Sequence, residues 1–178
     1  MDLSSAWSLH RRTFSTWAPG WRGWRLRCAR HFPSLRIVGI DPFETALAQA
    51  RKKIAEAKLE GRIEIRVQRV EELPDNSYFD LVHIPIPFLS TEVVTLALDR
   101  VFSALRPGGW VFLQSLSAQG NKLTPALCRL MSLLWGSEPV LPDRVGQMLA
   151  QAGYEHVQIL PTVLGVPVRA VAGQRPIS

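Results

Sequence analysis

The stretch at residues 36–54 places a short apolar segment directly before an acidic residue and the start of a helix. The aliphatic residues Ile37, Val38 and Ile40 are typical of a short buried strand, and Pro42 fits a first helical turn, where its missing N–H costs nothing. Apolar residues then recur at the spacing of one buried helix face, at Phe43, Leu47, Ala50, Ile54 and Ala57. A strand, an acidic residue and a helix form half of a βαβ unit, which directs the chain towards an α/β fold.

Asp41, the acidic residue of this unit, has two interpretations. In open α/β sheets, ligands bind at the carboxyl ends of the strands, where a carboxylate can accept hydrogen bonds from both hydroxyls of a ribose. Alternatively, Asp41 is the N-cap of the following helix and Glu44 completes a capping box. The local sequence favours neither interpretation, because caps of this kind are common.

Length and composition are those of one globular domain. The 178 residues are 47% hydrophobic and 20% charged, which is enough apolar material for a sizeable core. The two cysteines, Cys28 and Cys128, lack the spacing of a metal site, so we predict no metal centre and a reduced, cytoplasmic protein. No run approaches the ~20 apolar residues of a membrane span, and the first residues lack the apolar core of a signal peptide.

The net charge of +6 is concentrated at the N-terminus. Residues 1–36 hold seven Arg and one Asp, and four of the six Trp also lie there, whereas the remaining acidic and basic residues balance. Interleaved basic and aromatic residues can bind single-stranded nucleic acid. However, this segment has no helical or strand periodicity beyond a strand propensity at Thr13 to Trp17, so we favour an unpatterned segment and consider nucleic-acid binding the weaker interpretation. We therefore divide the chain into an atypical Arg/Trp-rich segment, 1–25, and a domain, 26–178.

The rest of the chain alternates strands and helices. Strands are predicted over 63–67 and 79–84, and the two prolines that follow break regular structure. Ser90 or Thr91 caps a helix with the buried face Val94, Leu98, Val101 and Leu105. Residues 106–109 are predicted to turn the chain into a strand over 110–116. Helices over 123–135 and 142–152 follow, and then two strands, 156–161 and 166–173, that are close enough to pair as a hairpin. This order predicts an α/β sandwich.

Four segments in order resemble the class I methyltransferases that use S-adenosylmethionine (SAM), of the small-molecule "type 11" kind: RIVGID, EELPDNSYFDLV, LRPGGWVFL, and AGYEHVQIL with VPVRAVAG. Each segment alone is a weak signal, but four in the family's order are a strong one. The resemblance implies a Rossmann-like sandwich with helices on both faces of a mostly parallel sheet. The implied strand order is 3-2-1-4-5-7-6, with strand 7 antiparallel in a terminal β-hairpin.

The resemblance also implies SAM as the cofactor, a small-molecule methyl acceptor and roles for individual residues. Asp41, followed by Pro42, would bind the ribose hydroxyls, and Val70 and Glu71 would border the adenine. His83 lies near the end of strand 4, where the methyl group and its acceptor meet. We favour a strand residue with a satisfied imidazole over a catalytic base for His83. No catalytic residue is assigned, because the leaving group of a sulfonium departs neutral and positioning carries most of the rate.

Two features depart from the family's pattern. The Gly-Asp-Ala that precedes Glu-Glu-Leu-Pro, with its acidic contact to the adenine amine, is replaced by residues 68–70, and the arginine there, Arg69, cannot accept that hydrogen bond. The glycine-rich turn after strand 1 should fall on residues 16–22, where only Gly20 matches, and Trp21 and Arg22 would fill the space of the methionine moiety. Glycines let the backbone approach the cofactor without interference from Cβ. We therefore expect the chain as written to bind SAM weakly or not at all.

A hypothesis about the reading frame explains the N-terminal segment. Trp is always TGG, and Ala, Pro and Gly are GCN, CCN and GGN. Codons started one base earlier over residues 17–21 therefore become NTG, GGC, NCC, NGG and NTG. With the neighbouring codons, residues 14–21 can then encode Val-Leu-Asp-Leu-Gly-Ala-Gly-Val, which supplies strand 1 and the glycine turn where the spacing requires them. We hypothesise that residues up to about Arg25 are translated in the wrong frame.

Three other functions remain as alternatives. The main one is a noncatalytic methyltransferase-like domain that acts through protein contacts. A nicotinamide dehydrogenase also has an acidic residue after its second strand, but the terminal antiparallel pair and the LRPGG segment weigh against it. A nucleic-acid-binding module would show salt-dependent binding that is lost on deletion of residues 1–25.

Overall fold

The computed structural model describes residues 12–16, 24–116, 123–161 and 168–177. Within these ranges, the strands are β1 (Arg12–Thr16), β2 (Arg36–Asp41), β3 (Ile63–Val67), β4 (Phe79–Pro85), β5 (Leu105–Leu116), β6 (Glu155–Ile159) and β7 (Val168–Gln174). The α-helices are α1 (Trp24–His31), α2 (Glu44–Glu56), α3 (Thr91–Ala104), α4 (Leu123–Leu134) and α5 (Pro142–Gln151). Two 3-10 helices cover Val70–Glu72 and Ile86–Phe88.

All seven strands form one sheet in the order β3-β2-β1-β4-β5-β7-β6. Strands β1 to β5 are parallel to one another, whereas β7 is antiparallel to both β5 and β6. The predicted fold class, strand order and terminal antiparallel pair are therefore confirmed. In a sheet of this order, the carboxyl ends of β1 to β5 meet at one edge, where ligands of open α/β sheets bind.

The central strand, β1, comes from the irregular N-terminal segment. Ser15 is in register with Gly39 of β2 on one side and with His83 of β4 on the other. The favoured interpretation of an unpatterned segment is therefore wrong for residues 12–16, where the strand propensity noted at Thr13 to Trp17 gives a strand that begins one residue earlier. Because β1 precedes residue 25 and lies between β2 and β4, the predicted boundary between 1–25 and 26–178 separates a central strand from the rest of its sheet. It stays a prediction about composition and reading frame.

The sheet is buried on both faces where helices cover it. Ile37 belongs to an apolar cluster with α1 and α2, whereas its neighbour Val38 belongs to a larger cluster that includes α3 and α5. This division follows from the alternation of side chains along a strand. The larger cluster contains most of the large, fully buried side chains, among them Phe79, Leu98, Leu105, Leu113 and Leu149.

The predicted buried face of α2 begins one turn too early. Leu47, Ala50 and Ile54 are buried as predicted, but Phe43 is 62% exposed. Phe43 is the N-cap residue and has an extended backbone, so its side chain does not project along the helix face. Ala57, the last predicted member of this face, is the C-cap residue and is half-buried.

The structure corrects the turn that was predicted over residues 106–109: these residues form a bulge near the start of β5. Strand β5 begins directly at Leu105, which pairs with Phe79, and Trp110 pairs with Leu81, so the residues between bulge out of the ladder. A Cβ on Gly109 would lie 2.9 Å from the Arg106 carbonyl oxygen and 3.2 Å from the Phe79 carbonyl oxygen. Glycine is required at this position because the backbone of two segments approaches it closely.

We expect Gly109→Ala to destabilise the fold by about 1–3 kcal/mol, because the added methyl group must displace backbone atoms. Gly61→Ala is the matched control, since a Cβ there meets nothing within 4 Å. Urea unfolding of both variants measures the difference. Equal losses of unfolding free energy in the two variants would contradict this explanation of the bulge.

Candidate functional site

The carboxyl end of β2 holds a buried carboxylate that is only half satisfied. Asp41 is 0% exposed, and its Oδ1 accepts a hydrogen bond from the Phe43 N–H at 2.7 Å. Its Oδ2 is also buried and accepts no hydrogen bond from the described residues. Burial raises the pKa of Asp41 to about 6, and the hydrogen bond from Phe43 opposes that rise. A buried polar atom without a partner is rare in folded proteins, and this oxygen can accept a further hydrogen bond.

The capping-box interpretation of Asp41 is wrong. The N-cap of α2 is Phe43, which makes no side-chain cap hydrogen bond, and Asp41 belongs to the preceding strand. Glu44 pairs with Arg51 along the helix surface and does not reach back to the strand. The bond from Phe43 to Asp41 is a local turn of the kind Asp side chains form two residues along the chain. It uses one carboxylate oxygen, and the other accepts no hydrogen bond from the described residues.

Gln68 lies beside Asp41 at the end of β3 and was missed by sequence reasoning. Its backbone N–H donates to the Asp41 carbonyl oxygen at 3.0 Å, and its Nε2 donates to the Glu72 carbonyl oxygen at 2.9 Å. This hydrogen bond fixes the orientation of the amide, so Oε1 is the side-chain atom that can accept a hydrogen bond. No described residue donates to it. The signal in the sequence was an amide directly after strand 3, at a position where the family has glycine.

The three residues after Gln68 are committed to other contacts. The Arg69 guanidinium pairs with the Glu71 carboxylate at 2.6 Å. The Val70 side chain is buried in the larger apolar cluster. Val70 can therefore border a ligand through its backbone, not through its side chain. Arg69 does not supply the acidic contact that the family has at this place, because its side chain only donates hydrogen bonds.

His83 lies deeper in the sheet than Asp41. It is in register with Ser15 and Gly39, two residues before Asp41, which corresponds to about 7 Å along the strands. Its Nε2 is 3.1 Å from Gln114 Oε1, and its ring lies 5.4 Å from the ring of Phe112. A buried, hydrogen-bonded imidazole is what the strand-residue interpretation of His83 predicts.

The other predicted site residues are Pro42 and Gly20. Pro42 is exposed and directly follows Asp41. Gly20 lies outside the described residues. A separate open depression of about 520 Å³ is lined by Cys28, Arg30, His31 and Phe32. It lies at the amino end of β2, so it is not part of the edge that carries Asp41 and Gln68.

These residues fit the adenosine half of SAM. The ribose hydroxyls and the adenine amine are hydrogen-bond donors, and Asp41 Oδ2 and Gln68 Oε1 are acceptors at the ends of neighbouring strands. The exposed Phe43 and Pro42 add apolar surface next to the carboxylate. The methionine half would contact the segment after β1, residues 17–23, which lies outside the described residues.

Comparison with known proteins identifies the family of the chain. The profile of the family described as "Methyltransferase domain" matches residues 18–109, just over half of the chain. The ubiquinone/menaquinone biosynthesis C-methyltransferase UbiE of Geobacter sulfurreducens is 26% identical over 136 residues, which are 69% of this chain and 53% of that protein. The profile match begins at residue 18, after β1, and extends through the segment 106–109.

Solved methyltransferase structures share the fold. A putative O-methyltransferase from Nostoc punctiforme is 16% identical and superposes with a TM-score of 0.78, covering 96% of this chain and 54% of its own. The structure of PigF with SAH is 18% identical, with a TM-score of 0.76 and coverages of 98% and 58%. The chain thus spans about half the length of the relatives it matches. At these identities the structures establish the fold, whereas the profile establishes the family and supports SAM as the cofactor. The chain belongs to the methyltransferase-domain family.

Proposed function

We propose that this domain binds SAM and methylates a small molecule, and that the chain as written is impaired because its glycine turn is lost. The observation that carries the proposal is the buried Oδ2 of Asp41, which accepts no hydrogen bond from the described residues. SAM supplies an electrophilic methyl group on a sulfonium. The protein's contribution is to hold the adenosine, orient the sulfonium and exclude water.

Each residue of the site has a proposed role. Asp41 accepts hydrogen bonds from the ribose hydroxyls, and Gln68 takes over the acceptor role for the adenine amine. The exposed apolar surface of Pro42 and Phe43 lies against the nucleoside. The backbone of Val70 and Glu71 borders the adenine, as the resemblance implies.

The remaining proposals concern the methyl-transfer end of the site. His83 supports the end of β4, where the acceptor would meet the methyl group, and Gly20 belongs to the turn that should hold the methionine moiety. The relatives named as C- and O-methyltransferases support a small-molecule acceptor. Among the described helices, none has the length and hydropathy of a membrane span. The cytoplasmic location stays a prediction.

Asp41→Ala is expected to weaken binding of S-adenosylhomocysteine (SAH), the demethylated product of SAM, by about 1.5–3 kcal/mol, the usual value of hydrogen bonds to a charged group. The titration uses calorimetry on the restored chain, in which residues 14–21 are replaced by Val-Leu-Asp-Leu-Gly-Ala-Gly-Val. Asp143→Ala, at an exposed carboxylate in the first turn of α5, is the control. An unchanged affinity in a folded Asp41→Ala variant would remove Asp41 from the site.

The same titration tests Gln68. A neutral hydrogen bond contributes about 1 kcal/mol, so Gln68→Leu is expected to weaken SAH binding about fivefold, whereas Gln68→Glu keeps an acceptor at that place. If Gln68→Leu binds SAH as tightly as its parent, the adenine amine has another acceptor.

A noncatalytic interaction domain is the second candidate function. The observation that favours it is the sequence of residues 16–22, where Gly20 is the one glycine of the turn that lets the backbone approach a cofactor. This candidate requires that the gene encodes the chain in its present frame and that the chain as written fails to bind SAH.

A further inference from the structure

Helix α4 has its apolar face on the outside. The residues it buries are Cys128 and Ser132, whereas six large apolar side chains are between 40% and 75% exposed: Leu123, Leu127, Leu130, Met131, Leu133 and Leu134. A surface helix of a globular protein normally has the opposite orientation, with its apolar stripe towards the core. The buried face of α4 is too small and polar to explain its many leucines, so the outward face needs a partner.

The spacing of the leucines indicates the kind of partner. Leu123, Leu127, Leu130 and Leu134 are separated by four, three and four residues, which is the a/d spacing of helices that pack side by side. This spacing reads the same in both directions along the helix. A second copy of α4 packed antiparallel about a two-fold axis would therefore place Leu127 against the partner's Leu130, and Leu123 against the partner's Leu134.

The same two-fold arrangement matches side-chain sizes across the pair. It places Met131 opposite the partner's Ala126, a large side chain against a small one. An isologous interface requires this self-complementarity, because each contact occurs twice. The pattern is thus suited to a second copy of this chain more than to an unrelated partner.

The size of the face is sufficient for a dimer. Five of these side chains, all but Leu133, lie within about 70° of the line of the four leucines, and each is about half exposed and offers roughly 100 Å². Two copies together would then bury about 1,000 Å², the area that a specific interface should reach. A lipid surface fits less well, because helices that lie on membranes carry several Lys or Arg residues around the apolar face, and the only charged residue of α4 is Arg129.

We propose that the exposed face of α4 is a two-fold interface between copies of this chain, with the two α4 helices packed antiparallel. This inference rests on packing alone and is independent of the proposed SAM site. It assigns the chain a dimeric state whether or not the cofactor binds.

The first test is sedimentation velocity of the full chain as written over a range of concentrations. We expect the parent to dimerise and Leu130→Glu to raise the dimer dissociation constant at least roughly 100-fold, because two unpaired charges would be buried in each dimer. Leu96→Glu is the matched control, since Leu96 on α3 is 56% exposed and Leu130 is 53% exposed. Both variants change exposed positions, and far-UV circular dichroism checks that they fold.

The second test determines the register of the two helices. Leu127→Glu and Leu130→Lys are each expected to be monomeric alone. When mixed, they are expected to form a heterodimer, because the antiparallel arrangement pairs the new Glu with the new Lys and leaves Leu against Leu at the other contact. A parallel pair would bring neither charge opposite the other.

Several outcomes would overturn the proposal. These are a parent chain that stays monomeric at 100-fold increased concentration, a Leu96→Glu variant that dissociates as readily as Leu130→Glu, and two charge variants that do not associate on mixing. Binding of the parent to lipid vesicles without self-association would assign the face to a membrane surface instead.

Discussion

The Asp41→Asn variant is expected to be more stable than the parent protein at neutral pH and yet to bind SAH more weakly. Asp41 Oδ1 already accepts the Phe43 N–H, and the oxygen of an Asn amide can do the same. The substitution removes the buried negative charge while keeping the size of the side chain. The expected gain in stability comes from the desolvation of that charge in the ligand-free protein.

The pH dependence of this effect has a defined sign. Burial raises the pKa of Asp41 from its ordinary value of 3.8 to about 6, so the folded state holds the proton more tightly than the unfolded state. The carboxyl group therefore costs no stability below about pH 4, and the cost grows as the pH rises from 4 to 6 and is complete above it. The difference in pKa corresponds to about 3 kcal/mol at neutral pH.

Urea unfolding at pH 4 and at pH 7 measures this difference. Asp41→Asn is expected to exceed the parent in unfolding free energy at pH 7 by about 1–3 kcal/mol, the lower values reflecting the new buried amide N–H₂. At pH 4 the two proteins should differ little. Asp143→Asn is the control, and a parent that loses no stability relative to Asp41→Asn between these pH values would contradict the buried-charge account.

Restoring the reading frame is the second change with a large expected effect. Read one base earlier, residues 14–21 supply a strand that ends in an acidic residue and a turn with two glycines. Backbone N–H groups of that turn can then approach the cofactor without a Cβ between them. We expect SAH at one hundred times its dissociation constant to stabilise the restored chain by about 2.7 kcal/mol, with a melting temperature raised by several degrees.

The gene's nucleotide sequence is the control for this prediction. It must encode Gly-x-Gly over codons 18 to 20 when read one base earlier. If it does not, the Arg/Trp-rich segment has another origin, and the restored chain is only a designed variant.

Much of the fold was predictable because it depends on the period of apolar residues. The alternation of Ile37 and Val38 between two clusters and the position of Asp41 at a strand end both follow from local pattern. The strand order needed the resemblance to the methyltransferases, because pairing between distant segments leaves no local signal.

Other features could not be read from the sequence. A run such as α4 shows that a helix has an apolar face, but periodicity does not show whether that face meets the core or another molecule. Phe43 matched the helical period of α2, yet the extended backbone of the N-cap turned it outwards. Gln68 was missed because the sequence does not show how its amide is oriented, which depends here on the hydrogen bond from its nitrogen to the Glu72 carbonyl oxygen.

The central claim is that the adenosine half of a SAM site is intact and the methionine half is lost. Calorimetric titration of SAH into the chain as written and into the restored chain tests it most directly. We expect micromolar binding to the restored chain and binding at least about 100-fold weaker to the chain as written, a difference of about 2.7 kcal/mol. Equal micromolar affinity of the two chains would show that the glycine turn does not matter, and no binding to either would show that Asp41 and Gln68 do not form an adenosine site.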